Sequence, residues 1–148
     1  MFGKGVNPLP DIESFIDLAY EERLDVIDLR SDVGFSDHDS TYLLDTKMSC
    51  LNKGLAIGYL ATTGHFVGTE EELQTKLDRI RTDLDIAVKL GAPLVRVFCG
   101  ETPEDAAAGK REIECFQEAC DEAAQRGIAV GLQNHPCTGD GVVRLMEQ

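Results

Sequence analysis

Positive charge is scarce in this sequence: 14 lysines and arginines stand against 27 aspartates and glutamates, a formal net charge of −13. Such a balance repels phosphate backbones and anionic membranes, so no nucleic acid and no membrane is expected as a partner. A small anionic ligand in a locally positive pocket remains compatible with it. No apolar run approaches the length that spans a bilayer. The N-terminus lacks the basic segment and apolar core of a secretory signal. Five cysteines occur, Cys50, Cys99, Cys115, Cys120 and Cys137, with no Cys-x-x-Cys pair and an odd count. That usage argues against a disulfide framework or structural zinc, and for a reducing, cytoplasmic setting. Linkers and low-complexity tracts are also missing. With 148 residues, 43% hydrophobic and 28% charged, the chain reads as one folded domain over 1–148.

What is present is an alternation of two hydrophobic periods. Asp11 to Arg23 reads as a helix with Ile12, Phe15, Ile16 and Ala19 on one face. Asp25 to Arg30 reads as a strand, Thr41 to Asn52 as a weaker helix, and Leu55 to Ala61 as the next strand. Thr69-Glu70-Glu71-Glu72 is a capping box opening a third helix, which Gly91 and Pro93 stop. Leu94 to Phe98 is a strand. Thr102 is the expected cap of a fourth helix with Pro103 in its first turn, and Ile113, Phe116, Cys120 and Ala123 are its expected inner face. Ile128 to Leu132 is a further strand. Gly139-Asp140-Gly141 reads as a turn into a last helix over Gly141 to Glu147. Strand centres fall roughly 30 to 40 residues apart, which is βα-repeat spacing and implies a parallel sheet.

In a parallel α/β fold the chemistry sits where strands end, so the strand tips carry the candidates. Gln133, Asn134 and His135 follow the last apolar run. They suit a metal or sugar-hydroxyl site, or else a loop bonding its own backbone. His65 follows the strand ending at Ala61 and suits a ligand, a proton shuttle or a substrate contact; the alternative is a loop histidine near a helix start. Glu101 either faces the pocket or favours the next helix N-terminus. Arg30 can fork a phosphate or carboxylate, or pair with a neighbouring acid. Arg96, in mid-strand, needs a partner, and Asp28 or another strand acid is expected to supply it. Cys99 reads as a small buried filler, and His38 as solvated loop.

Three stretches, Ile27-Asp28-Leu29-Arg30, Ala92-Pro93-Leu94-Val95-Arg96-Val97-Phe98-Cys99-Gly100 and Gly127-Ile128-Ala129-Val130-Gly131-Leu132-Gln133-Asn134-His135, resemble in this order the xylose isomerase-like barrel superfamily, particularly sugar phosphate isomerase/epimerase proteins. The resemblance implies an α/β fold, a partial (β/α) TIM barrel of four to five βα units with parallel strands and outer helices. An eight-unit barrel typically needs about 250 residues. Four strands are clear here, and a short first one is placed in Gly3 to Asn7. A partial barrel has an exposed sheet edge, so a homo-oligomer covering that edge is expected.

By the same resemblance the protein is sugar phosphate isomerase/epimerase-like, acting on a sugar or sugar phosphate through metal-assisted proton transfer. Manganese, magnesium or a similar divalent cation is implied. His65 and Glu101 are the catalytic candidates, Arg30, Asn134 and His135 the substrate-binding ones, and Gln133 the metal candidate. The family usually carries an acid where Gln133 stands, and its other metal ligands come from later strands. A glutamine brings no charge and cannot act as a base. Two rival readings follow: a non-catalytic remnant that binds sugar or serves assembly, and an abasic-site endonuclease-like protein. In the endonuclease branch a histidine near His65 binds zinc, and a histidine tends to stand where this chain has Cys99. An open, doubly wound sheet is the competing fold, with helices on both faces. If Gln133 borders a degraded metal site, Gln133→Glu raises divalent-metal affinity in a calorimetric titration; unchanged affinity removes Gln133 from the ligands.

Overall fold

The structure is a computed structural model describing residues 11–62, 64–100, 105–135 and 137–147. Its elements alternate: α1 (Ile12–Glu21), β1 (Val26–Arg30), α2 (Ser40–Asn52), β2 (Ala56–Ala61), α3 (Glu70–Leu90), β3 (Leu94–Phe98), α4 (Ala106–Gln125), β4 (Ala129–Gln133) and α5 (Gly139–Met146). The four strands form one sheet in the order β1-β2-β3-β4, every pairing parallel. The short first strand placed in Gly3 to Asn7 lies outside the described residues. None of the described helices is long and apolar enough to cross a membrane.

Burial alternates along the strands and so separates two faces. Ile27, Leu29, Ile57, Leu60, Val95 and Val97 are buried and share one core with Ile16, Leu43, Leu77, Leu84 and Ala119 from the helices. The opposite face carries Val26, Asp28 and Arg30, which are exposed, and Leu94, Arg96 and Phe98, which are half-buried. One covered face and one uncovered face make a barrel wall rather than a doubly wound sheet. The register shifts between Ile27↔Ile57 and Leu29↔Leu60, so β2 carries one extra residue there. Gly58 sits in that bulge, where a Cβ would lie 2.5 Å from Asp28 Oδ1. Only a residue without a side chain lets Asp28 lie over β2.

The helix ends follow local chemistry. Thr69 and Glu72 form the expected capping box, with Glu72 Oε2 accepting from the Thr69 amide at 2.7 Å, and Gly91 closes α3 in the left-handed region at φ 78°. The start of α4 differs from expectation. Asp105 is its cap and accepts from the Ala108 amide at 2.8 Å; Thr102 and Pro103 lie outside the described residues. Thr138 caps α5, so Gly139, Asp140 and Gly141 form its first turn instead of leading into it. The inner stripe of α4 is Glu112, Cys115, Phe116, Ala119 and Ala123, with Cys120 exposed. Phe116 and Ala123 face inward as expected, whereas Ile113 and Cys120 give way to their neighbours Glu112 and Ala119, a buried acid occupying the apolar face.

Arginines fasten the acidic helices to each other. Arg81 of α3 pairs with Asp78, Glu118 and Glu122, Arg126 with Asp85 and Glu122, and Arg111 of α4 with Glu70. Exposed pairs of this kind are screened by water and salt and each contributes little.

Glu112 is different: its side chain is 0% exposed, and Arg144 of α5 donates to its Oε2 at 2.5 Å. Burial raises the Glu112 carboxyl above its ordinary range, and Arg144 pulls it down without cancelling that rise. The folded chain then holds this proton more tightly than the unfolded chain, so stability declines as pH climbs from the ordinary carboxylate range through the raised value. Glu112→Gln is expected to remove that decline, and Arg144→Ala to steepen it. Because Arg144 keeps 30% exposure, Arg144→Ala should cost about 2–3 kcal/mol at neutral pH, below the range for a fully buried pair. Urea midpoints measured across pH check both.

Candidate functional site

The parallel register brings the C-terminal strand ends level. Arg30, Ala61, Arg96 and Gly131 form one row across the sheet, and Phe98 stands beside Gln133. The ladder continues past the strands. The Ser31 amide donates to Ala61 O (3.2 Å), Thr62 to Arg96 O (3.0 Å), Phe98 to Gly64 O (3.2 Å) and Cys99 to Gln133 O (3.0 Å). The loops of β1, β2, β3 and β4 thus share one rim.

At the rim of β3 and β4, Phe98 is the centre. The Arg96 guanidinium carbon lies 4.2 Å from its ring centroid, and the His135 ring 5.7 Å from it. Gln133, Asn134 and His135 are exposed. The His135 amide also donates to Gln133 O at 2.9 Å, so the loop bonds its own backbone and still presents three polar side chains. His65 comes in from the β2 loop. Gly100, at φ 69°, makes room for it: a Cβ there would lie 3.0 Å from the imidazole Cδ2. Phe66 anchors this loop, packing edge-to-face on Phe116 of α4 at 4.8 Å. Glu101 lies outside the described residues.

Arg30 takes the second of the two roles read for it, pairing with a neighbouring acid, and Arg96 lacks the strand-acid partner expected of it among the described residues. Arg30 donates through Nε and Nη2 to both oxygens of Asp32, at 3.1 and 2.9 Å. Partial burial opposes ionisation of Asp32, but the guanidinium more than offsets it and holds the carboxyl below its ordinary range. Arg30 also stands on β1, two strands from β3, so it does not join the Gln133 and His65 cluster. Arg96 forms no ion pair with Asp28 or with any other acid among the described residues, and its Nε and Nη1 are buried without a hydrogen-bond partner. The expected Arg96–Asp28 bridge is absent because Asp28 leans over Gly58 while Arg96 turns toward the rim onto Phe98.

Several supporting residues were not singled out from the sequence. Arg79 grips the fully buried Asp83 at 3.1 Å and donates to Ser31 Oγ at 2.9 Å. His38, read as solvated loop, is exposed but tethered, its Nε2 lying 2.9 Å from Ser31 O. Together they pin the tip of β1. The four-residue spacing of Arg79 and Asp83 was the available signal; their reach to Ser31 needed the fold.

The cysteine expectation is overturned. Cys99 and Cys137, 38 residues apart, form a disulfide that joins the end of β3 to the loop before α5. Both are buried. An odd count and the lack of Cys-x-x-Cys describe spacing along the chain, whereas adjacent parallel strands place residues one βα unit apart side by side. Cys99 is a cross-link, not an apolar filler. Cys50, Cys115 and Cys120 are free.

The residues present do not fit a divalent cation. Among the described residues no group of three His, Cys, Asp or Glu side chains is placed to hold one. Gln133 is neutral, and a guanidinium with buried, unpartnered N–H groups stands on the neighbouring strand, on the same face. That donor set suits an anion rather than a metal.

Residues 16–148 match the family described as the xylose isomerase-like TIM barrel. No curated protein matches the sequence. Among solved structures, the chain is similar to a xylose isomerase domain protein from Planctomyces limnophilus, with TM-score 0.79 and 14% identity over 89% of this chain and 52% of that one. It is similar to a xylose isomerase-like TIM barrel protein from Mycobacterium smegmatis in complex with magnesium, with TM-score 0.68 and 21% identity over 91% and 51%. It is also similar to a D-allulose 3-epimerase from Methylomonas sp. in complex with D-allulose, with TM-score 0.67 and 18% identity over 92% and 52%. At these identities the likeness is one of fold. The chain spans about half the length of these solved relatives.

The cross-link makes the rim testable. Closing a loop of 38 residues stabilises by about 2–4 kcal/mol. Cys137→Ser, or reduction, is expected to lower the urea midpoint accordingly and to speed amide exchange at Gln133 to His135. Unchanged exchange there would separate the disulfide from the site.

Proposed function

The chain belongs to the xylose isomerase-like TIM barrel family, and from that premise we propose that it binds a sugar or sugar derivative at the C-terminal rim of its strands, as the front half of an isomerase- or epimerase-type site. One observation carries this reading: Gln133, Asn134, His135 and His65 converge around Phe98 and Gly100 at the end of the sheet. Amide side chains both donate and accept, which matches the paired character of sugar hydroxyls. The Phe98 ring offers an apolar face to sugar C–H groups. Pockets of this make-up fix a polyol by a few directed bonds against an apolar floor.

Isomerisation and epimerisation both need a proton removed beside a carbonyl and returned elsewhere. His65 and His135 are the proposed proton carriers, since the two ring nitrogens of an imidazole can donate and accept. Glu101, which follows the end of β3 in the sequence, is the proposed acid/base partner. No step is assigned to a metal, because the described donors do not fit one. The rival reading, a sugar-binding module without turnover, draws on the neutral Gln133 in place of an acid. The open edges of β1 and β4, each paired on one side among the described residues, are the proposed surfaces for self-association.

A ketohexose such as D-allulose, incubated with the protein in deuterium oxide, separates the two readings by NMR. Exchange of the proton beside the carbonyl is expected for an isomerase or epimerase, and saturable binding without exchange for a binding module. His135→Ala and Asn134→Ala should each weaken ketose binding roughly fivefold to tenfold, the worth of one hydrogen bond. Absence of saturable binding to any ketose or aldose would sink the proposal.

A further inference from the structure

We propose that Arg96 is the anchor of an oxyanion site on the uncovered face of the sheet, so that the ligand at this rim is an anionic polyol, one carrying a carboxylate or a phosphate.

The argument begins with an unbalanced charge. Arg96 lies in mid-β3, and its Nε and Nη1 are buried with no acceptor among the described residues. Burying guanidinium N–H groups without acceptors is unfavourable by several kcal/mol, so the position calls for an acceptor beyond those described. Strand acids do not supply one. Asp28 forms no ion pair with Arg96, and Asp32 is already engaged by both nitrogens of the Arg30 fork.

Geometry then selects the kind of acceptor. The guanidinium lies over the Phe98 ring at 4.2 Å. A guanidinium resting on a ring makes its hydrogen bonds through its in-plane N–H donors, the arrangement that matches a planar carboxylate or a phosphate edge, and because Nε and Nη1 are buried here an anion reaches them only as the side chains over them shift. The flanking residues in the same row are Ala61 and Gly131. Neither carries a side chain long enough to cap the guanidinium. The apolar stack and the half-buried position lower the local dielectric, which strengthens a charge-assisted bond and shields it from salt.

The ligand's polyol part is placed by the residues already described. The Arg96 head lies over the ring of Phe98, whose register partner is Gln133, and His135 flanks the same ring. An anionic group on Arg96 therefore leaves the rest of a short sugar chain beside Gln133, Asn134 and His135. This inference deepens the sugar-site reading and rests on it for the polyol. The oxyanion contact itself stands on Arg96 alone. It also accounts for a ligand of like sign to the protein: Arg96, half-buried and without an ion pair among the described residues, opposes locally the field of a chain at −13.

The test titrates the intact protein, at constant ionic strength kept with chloride, with inorganic phosphate, D-gluconate and neutral D-fructose. It follows heat and the ¹H–¹⁵N signal of the Arg96 Nε–H group. Phosphate or gluconate is expected to saturate and to move that signal downfield. Arg96→Lys and Arg96→Gln should each weaken the effective anion at least about tenfold, since neither offers the fork. Arg126→Gln should leave anion affinity unchanged because Arg126 serves Asp85 and Glu122 on the helix side. Phosphate acting alone identifies a phosphate ester as the ligand class, and gluconate acting alone identifies a sugar acid. Fructose binding with no Arg96-dependent anion binding overturns the inference and leaves the sugar-site reading intact. Arg96-dependent phosphate binding with no binding of gluconate or fructose upholds the oxyanion site and removes the sugar. Should both Arg96 variants fail to fold, the Nε–H signal of the unaltered protein decides, and a signal indifferent to both anions overturns the proposal.

Discussion

Five backbone pairings between β3 and β4, from Leu94↔Ala129 to Phe98↔Gln133, hold the rim together. Because the strands run the same way, each pairing sets residues one βα unit apart at the same height. Arg96 meets Gly131, Phe98 meets Gln133, and the next step brings Cys99 to the loop that carries Asn134, His135 and Cys137. A one-residue slip would turn Gln133 into the helix-facing core and expose Leu132. The buried valines Val95 and Val97 oppose that slip, so the hydrophobic layer beneath the helices positions the polar layer above.

Charge is distributed in the same two-layer fashion. On the helix side, acids outnumber bases and Arg81, Arg111 and Arg126 are each held by two or more carboxylates. On the uncovered face of the sheet one arginine is satisfied by its sequence neighbour and the other is not. This asymmetry distinguishes a surface that binds itself from a surface that binds something else. Arg30 and Asp32 form a closed pair two residues apart. Arg96 has a ring beneath it, small residues to either side, and no acid paired with it among the described residues.

The disulfide and the Glu112–Arg144 pair act at two ends of one segment. Cys99–Cys137 fixes the loop after β4 to β3, and Arg144 fixes α5 to the buried face of α4. Between them the last strand and helix are held on a sheet edge that has no further described neighbour. β4 itself is only partly covered: Ala129 is exposed and Val130, Gly131 and Leu132 are half-buried. Two tethers therefore compensate for an apolar contact that an edge strand cannot make in full.

The order of elements was legible in the chain because helix and strand impose different hydrophobic periods on neighbouring residues. Thr69 with Glu72, Gly91, and the run Leu94 to Phe98 carry their structures in local chemistry. Parallel pairing followed from the length of the crossovers, and the strand tips from where apolar runs give way to Gln133 or His65. Local reasoning failed where two acceptors or two faces competed. Asp105 took the cap assigned to Thr102, and Glu112 took a face assigned to Ile113. Which arginine closes on an acid, which cysteines bond and which histidine is tethered depended on residues one or more units away. Such contacts have no signature in spacing along the chain. They are decided only when strand register and helix packing set the distances, and those distances determine whether a buried charge finds its partner within the protein or must take it from a ligand.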